Sequence, residues 1–263
     1  MKLVVYELLI ELYVLRWFAI LRLMKKQPST QFNCFSPPVM VATVIIESIL
    51  IIFTIWRYRM DTLTKLVVLC LLSLTIFQIS EFNVCAETGP QAGDWARLGY
   101  VSISFLPPLG LHILHVLARK PNRKLVVAAY LTMIVVIVYF FAHGSAFTGF
   151  QCTGNYVIFQ IGKIASIIYG SYYYGWLLSA LYLGVRWAKE LQSAHSSTTN
   201  RLRGVRAMIV GYLVFILPTA LVYSVSPASR RAIPSIMCGF AILFALILTT
   251  YILPVTERRH IRN

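Results

Sequence analysis

From residue 39 onward the chain alternates long apolar runs with short polar connections, most of them basic. A helix that crosses a bilayer needs about 20 mainly apolar residues. By that measure the pattern predicts seven spans, at about residues 39–56, 63–84, 96–118, 125–143, 162–187, 205–225 and 236–255. Pro37-Pro38 stand just before the first run, where a missing N–H costs a helix little. Pro107-Pro108 fall inside the third and should kink it, and Pro218 lies inside the sixth. Residues 157–187 are too long for one perpendicular span, so 157–161 are expected to form an outer segment leading into it. The connection over residues 144–160 mixes turn residues with a β-like run and predicts a short hairpin over the outer mouth. The expected fold class is all-α: a polytopic membrane protein with a seven-helix bundle over residues 33–263 and an extra segment over 1–32.

That first segment has its own pattern. It is apolar but interrupted by Glu7, Glu11, Arg16 and Arg22, with Glu7, Glu11, Arg22 and Lys25 on one helical face. An interfacial amphipathic helix is the reading these residues support best. An eighth span, an uncleaved signal anchor and a start upstream of the natural one are its rivals. Glutamates in the apolar core argue against a cleavable signal peptide.

Charge adds orientation. The chain has 263 residues, 24 Lys and Arg against 9 Asp and Glu, and a net charge of +15. In a soluble protein such an excess would suggest nucleic acid. Here it gathers between the first and second, third and fourth, and fifth and sixth spans, and in the tail at Arg258, Arg259 and Arg262. The opposite connections hold only Arg97, Lys163, Arg230 and Arg231. The positive-inside rule then predicts a cytoplasmic C-terminus in an inner (plasma) membrane, with anionic lipid rather than nucleic acid against the basic face. No polar connection is long enough to hold a soluble catalytic or output domain.

In lipid, a buried ionisable group is a functional candidate by default. Glu47 lies mid-way along the first span, and Gln78 and Glu81 lie in the second at i, i+3, on one helix face. Helical rise puts all three in the outer half, with His143 ending the fourth span on that side. Glu47, Glu81 and His143 could therefore hold a divalent metal, and Glu47, Gln78 and Glu81 could bind a proton or cationic ligand. Tyr169, Tyr172 or Tyr173, and Trp176 recur at helical spacing and could line the same pocket or simply pack. His112 and His115 lie too far toward the cytoplasmic end to join it, and no third ligand stands near them. Of five cysteines, Cys34, Cys85 and Cys152 fall at the outer surface and Cys238 near it, with Cys70 inside the second span. A Cys85–Cys152 disulfide would tie two outer connections, and Cys34 could replace either partner.

Several chemistries lack their residues. The seventh span holds no lysine, which excludes a rhodopsin-type retinal Schiff base there. It holds no histidine, unlike the seven-helix zinc hydrolases of the ceramidase and adiponectin-receptor kind. His115-Val-Leu-Ala-Arg119 does not match the Asp-Arg-Tyr signature of G-protein-coupled receptors. There is no phosphate-binding loop or nucleophile elbow.

Asn33-Cys-Phe-Ser-Pro-Pro38, with Phe77-Gln-Ile-Ser-Glu-Phe-Asn-Val-Cys85, resembles small bacterial seven-helix membrane proteins of uncharacterised activity. These open on a Cys-Phe-Ser or Cys-Trp-Ser motif near the initiating methionine and carry Gln-x-x-Glu in the second helix; here some thirty residues precede the motif. Residues 95–112, with Trp95, Pro107-Pro108 and His112, are similar over about a tenth of the chain to the third-helix region of seven-helix sensor modules of bacterial histidine kinases. Neither resemblance implies a settled activity. The function expected is a stand-alone sensor or receptor-like protein that binds a small ligand, proton or lipid and signals through a cytoplasmic partner. A membrane-embedded metal-dependent lipid hydrolase is the first alternative, and a transporter or proton-coupled carrier the second.

Overall fold

The computed structural model describes residues 37–86, 92–120, 123–143, 146–152, 157–193, 199–225, 240 and 242–257. The helix expected over residues 1–32 lies outside them. Helix α1 is Pro37–Arg57, α2 Thr62–Ala86, α3 Ala92–Ser104, α4 Leu106–Ala118, α5 Arg123–Ala142, α6 Lys163–Ser193 and α7 Thr199–Val225. A hairpin of β1 (Phe147–Cys152) and β2 (Val157–Ile161) joins α5 to α6. A π-helical turn, Ile247–Ile252, leads into α8, Leu253–Glu257.

The chain is an all-α membrane protein. Among the described residues, five helical stretches are long and apolar enough to cross a membrane: Met40–Arg57, Thr62–Val84, Gly93–Ala118, Arg123–Ala142 and Thr199–Leu221. Ile242–Thr256 is apolar but shorter. Helix α6, with 31 residues, extends about 46 Å, but its tyrosines and serines dilute its apolar content. The outward faces are apolar. On α1, Ile45, Ile49, Ile52 and Trp56 recur at helical spacing and are 52%, 58%, 67% and 84% exposed. A water-soluble surface rarely carries such a stripe, whereas lipid tails accept it. Helix α2 and the α3–α4 pair bury 67% and 72% of their apolar windows, against 28% each for α1 and α5. So α2, α3 and α4 form the interior. Helix α2 packs between α1 and the α3–α4 pair, and α4 also packs on α6, α7 and α5.

Local chemistry sets the boundaries. Asp61 caps α2 by accepting the Thr64 N–H at 2.8 Å. At the proline pair, where a kink is expected, the third span is interrupted: α3 stops at Ser104, and α4 restarts after Phe105 with Leu109 N–H bonded to the Phe105 carbonyl at 3.1 Å. Pro254 acts through the turn before it. It has no N–H to give the Thr250 carbonyl, and its ring crowds that group. The backbone widens to π geometry there, with Leu253 N–H reaching the Leu248 carbonyl, five residues back. Tyr58, from the α1–α2 connection, donates its hydroxyl to the Thr249 carbonyl in this turn at 3.1 Å.

The expected hairpin forms. Phe150 pairs with Phe159 and Cys152 with Val157, with an irregularity between Phe147 and Gly149. Phe159 is buried and meets Phe77 of α2 and Tyr100 of α3, with centroids 6.1 and 5.6 Å apart.

Candidate functional site

Buried hydroxyls in these helices are served by their own backbone. Thr43, Thr54, Ser73, Thr75 and Ser80 each donate to a carbonyl three or four residues earlier, at 2.6–3.0 Å. Short side chains can reach back in this way. Glutamate and glutamine are longer and project outward from the helix, so a buried one needs a partner from elsewhere.

Glu47, Gln78 and Glu81 are 0%, 1% and 1% exposed. Neither carboxyl oxygen of Glu47 makes a hydrogen bond, and neither end of the Gln78 amide does. Thr75 of α2 faces Glu47 across the α1–α2 seam, but its single hydroxyl proton goes to the Leu71 carbonyl at 3.0 Å. Thr75, Gln78 and Glu81 follow at i, i+3, i+6, each about 60° around the helix from the last, so they form a polar file that winds along α2 from the α1 side toward α3. The Cys70 thiol, buried and free, lies within electrostatic reach of Glu47 one turn further in. At the other end of the file, Glu81 is an electrostatic neighbour of the buried Tyr100 hydroxyl on α3.

Tyr100 extends the site into an aromatic cluster. Its ring lies 5.0 Å from Tyr169 and 5.5 Å from Phe140, and Tyr169 stacks on Tyr173 at 5.6 Å. Tyr172 donates to the Ser104 carbonyl at 2.6 Å, at the α3–α4 break. Tyr169 and Tyr173 thus belong to the interior beside the carboxylate file. Trp176 does not, since its indole N–H goes to Thr132 of α5 at 2.8 Å.

The expected metal set is not assembled. His143 is exposed at the end of α5 and stacks on Tyr139 with centroids 4.7 Å apart, while Glu47 and Glu81 are buried. Among the described residues, no three His, Cys, Asp or Glu side chains gather closely enough to hold a metal ion. The reason is registry: a residue beyond the last helical turn stands at the rim, not in the seam. His115 packs inside against Trp187, its Nδ1 at 2.9 Å from the Leu111 carbonyl, and His112 lies 3.3 Å from the Tyr130 hydroxyl. Among described cysteines Cys70 is a free thiol. The side chains of Cys34, Cys85 and Cys152, on which the expected disulfide falls, lie outside the described set, as does Cys238.

Sequence reasoning missed Thr75 and Tyr100. Thr75 stands three residues before Gln78 on the same face, a signal that was present. Tyr100 shows itself only as part of a buried stripe with Ala96 and Ile103. No protein-family model matches the chain, and no curated protein matches it.

Proposed function

We propose that this protein is a seven-helix membrane sensor, with Glu47, Gln78 and Glu81 as the responsive site and a proton as its ligand. In this reading α6 and the 242–256 stretch complete seven spans. The hairpin faces outward, and the basic connections face the cytoplasm, where a partner reads the state of the bundle. The observation that carries it is Glu47: a fully buried carboxyl group with no hydrogen bond to either oxygen. An ionised carboxylate without a partner in such surroundings is very costly, so the group must be neutralised by a proton or a cation. A site this enclosed admits a proton without rearrangement, whereas a larger ligand requires helices to part. Gaining or losing that proton changes the charge between α1 and α2, and Glu81 and Tyr100 pass the change toward α3 and the α3–α4 break. The resemblance to bacterial sensor modules points the same way.

Infrared difference spectra between acid and alkaline pH, recorded on the full chain in lipid, test the reading. A carboxylic C=O band that disappears in Glu47→Gln and shifts in Glu81→Gln is the expected result. A set of titrating carboxyl bands left unchanged in Glu47→Gln would refute it. Normal function of a Gln78→Ala, Glu81→Ala double variant at unchanged expression would also remove the site from the mechanism.

A further inference from the structure

The opposite end of the bundle carries a second feature that the carboxylate file does not use. A cavity of about 480 Å³ opens where the α1–α2 connection, the end of α4, the start of α7 and α8 meet. Its floor is apolar, from Leu63, Leu117 and Leu253, and its rim bears three arginines, Arg59, Arg119 and Arg201, against one carboxylate, Asp61. Asp61 is already engaged, since it caps α2. The nearby acid Glu190 is also engaged, by Lys120 at 2.7 Å and Arg186 at 3.2 Å. Arg59 and Arg119 are exposed and form no ion pair among the described residues. The first turn of α7 contributes Asn200 and Arg201 and no acidic residue.

Arg119 is the independent clue. It ends α4 in a Schellman arrangement: its own N–H bonds the Val116 carbonyl at 3.2 Å, and Lys120 N–H bonds the His115 carbonyl at 3.1 Å. The turn forces Arg119 to φ 53°, ψ 42°, the left-handed region, and it is the only non-glycine residue with positive φ among those described. Glycine is the usual occupant of this position because any Cβ costs about 1–2 kcal/mol there. An arginine at a position that favours glycine, on the rim of a cavity, points to a use for its guanidinium.

We propose that this cavity binds a phosphate ester at the basic end of the bundle. The planar guanidinium fork matches phosphate oxygens two at a time, which an ammonium cannot do. The volume falls in the range of small-ligand sites. An apolar floor beneath a cationic rim, at the depth where helices leave the hydrocarbon, suits an anionic lipid headgroup with the first carbons of its chains. The same rim would take a soluble phosphate ester. This site is separate from the carboxylate file and stands or falls without it.

The test uses delipidated full-length protein in detergent, read by native mass spectrometry. The probes are phosphatidylglycerol, phosphatidylcholine and inorganic phosphate. One phosphatidylglycerol should be retained per chain in preference to phosphatidylcholine. Its affinity should fall about tenfold or more in Arg119→Gly and in Arg59→Gln, the scale of one lost hydrogen bond between charged groups. Arg203→Gln, an exposed arginine outside the cavity, should leave it unchanged. Arg119→Gly relieves the left-handed backbone, so weaker binding there cannot be ascribed to misfolding. Phosphatidylglycerol that inorganic phosphate does not displace assigns a lipid headgroup, and displacement by phosphate assigns a soluble ester. Equal retention of both lipids, or equal phosphatidylglycerol affinity in Arg119→Gly and Arg203→Gln, would overturn the proposal.

Discussion

Replacing Glu47 by methionine should make this protein more stable and at the same time unresponsive. Glu47 is 0% exposed and neither oxygen receives a hydrogen bond, with the Thr75 hydroxyl across the seam as a polar neighbour, so the folded state bears most of the cost of a desolvated polar group. A buried polar group left unsatisfied costs about 1–3 kcal/mol, and more if charged. Methionine has a similar length, no branch at Cβ and no hydrogen-bonding requirement, so it fits the α1–α2 seam with little repacking. The expected gain is therefore about 1–3 kcal/mol, large against a total stability of about 5–15 kcal/mol. Titration with sodium dodecyl sulfate, following helicity and tryptophan fluorescence together, measures it. Glu47→Gln should fall between wild type and Glu47→Met, because its amide keeps the unmet polar demand but never the charge. A loss of 1 kcal/mol or more in Glu47→Met would refute the reasoning, since it would mean that the carboxyl group holds the helices together. A stability gain paired with loss of the titrating infrared band is the signature of a group kept for function at a cost to the fold.

Other parts of the bundle yield sharper structural tests. A Cβ at Gly110 of α4 would collide with the Tyr212 hydroxyl of α7, so Gly110→Ala should cost about 1–3 kcal/mol in the same titration, and Tyr212→Phe in the same chain should restore part of it. Additive losses in the double variant would contradict the close approach of α4 and α7. Tyr58→Phe should cost about 1 kcal/mol, because it removes the 3.1 Å hydrogen bond to the π-turn carbonyl of Thr249; hydrogen exchange concentrated at 247–252 would report it, and unchanged exchange would count against the contact. At the basic rim, hydrogen bonding from Lys120 and, less, from Arg186 holds the Glu190 carboxyl below its ordinary range. A depressed folded-state value means that the α4–α6 tie is complete above the unfolded carboxylate pKa of about 4.3 and is lost as pH falls through the lower folded value. Amide protection near the end of α6, taken relative to the intrinsic exchange rate at each pH, should fall in that acid window, and Glu190→Gln should flatten the dependence; protection unchanged by acid would show the pair to be idle.

The sequence read well where one physical demand dominates. Lipid requires long apolar helices, so α1, α2, α5 and α7 fall close to the runs that predict them, and Pro107-Pro108 break the third run where two N–H groups are missing. Turn residues flanking a β-like run were enough for the hairpin. Helix α6 was harder, because Tyr169, Tyr172 and Tyr173 face the interior and serve packing while polar residues dilute its apolar content, so its composition understates its length.

The candidate site divides in the same way. Glu47, Gln78 and Glu81 stood out in the sequence because charge and amide groups are rare inside apolar runs, and periodicity alone put Gln78 and Glu81 on one face. Only the tertiary structure decided which side chains meet them. His143 is one residue past α5, and that offset sends it to the rim rather than into the seam. Tyr100 joins Glu81 because α3 crosses beside α2 before the proline break, and Trp176 leaves the tyrosine stack because α5 offers it Thr132. The arginine cavity depended entirely on assembly: Arg59, Arg119 and Arg201 are 60 and 82 residues apart along the chain and are indistinguishable there from the other basic flanks. Periodicity within one helix is a local property that a sequence states directly. Which faces of different helices meet is set by packing among all of them, and the sequence records it in no single place.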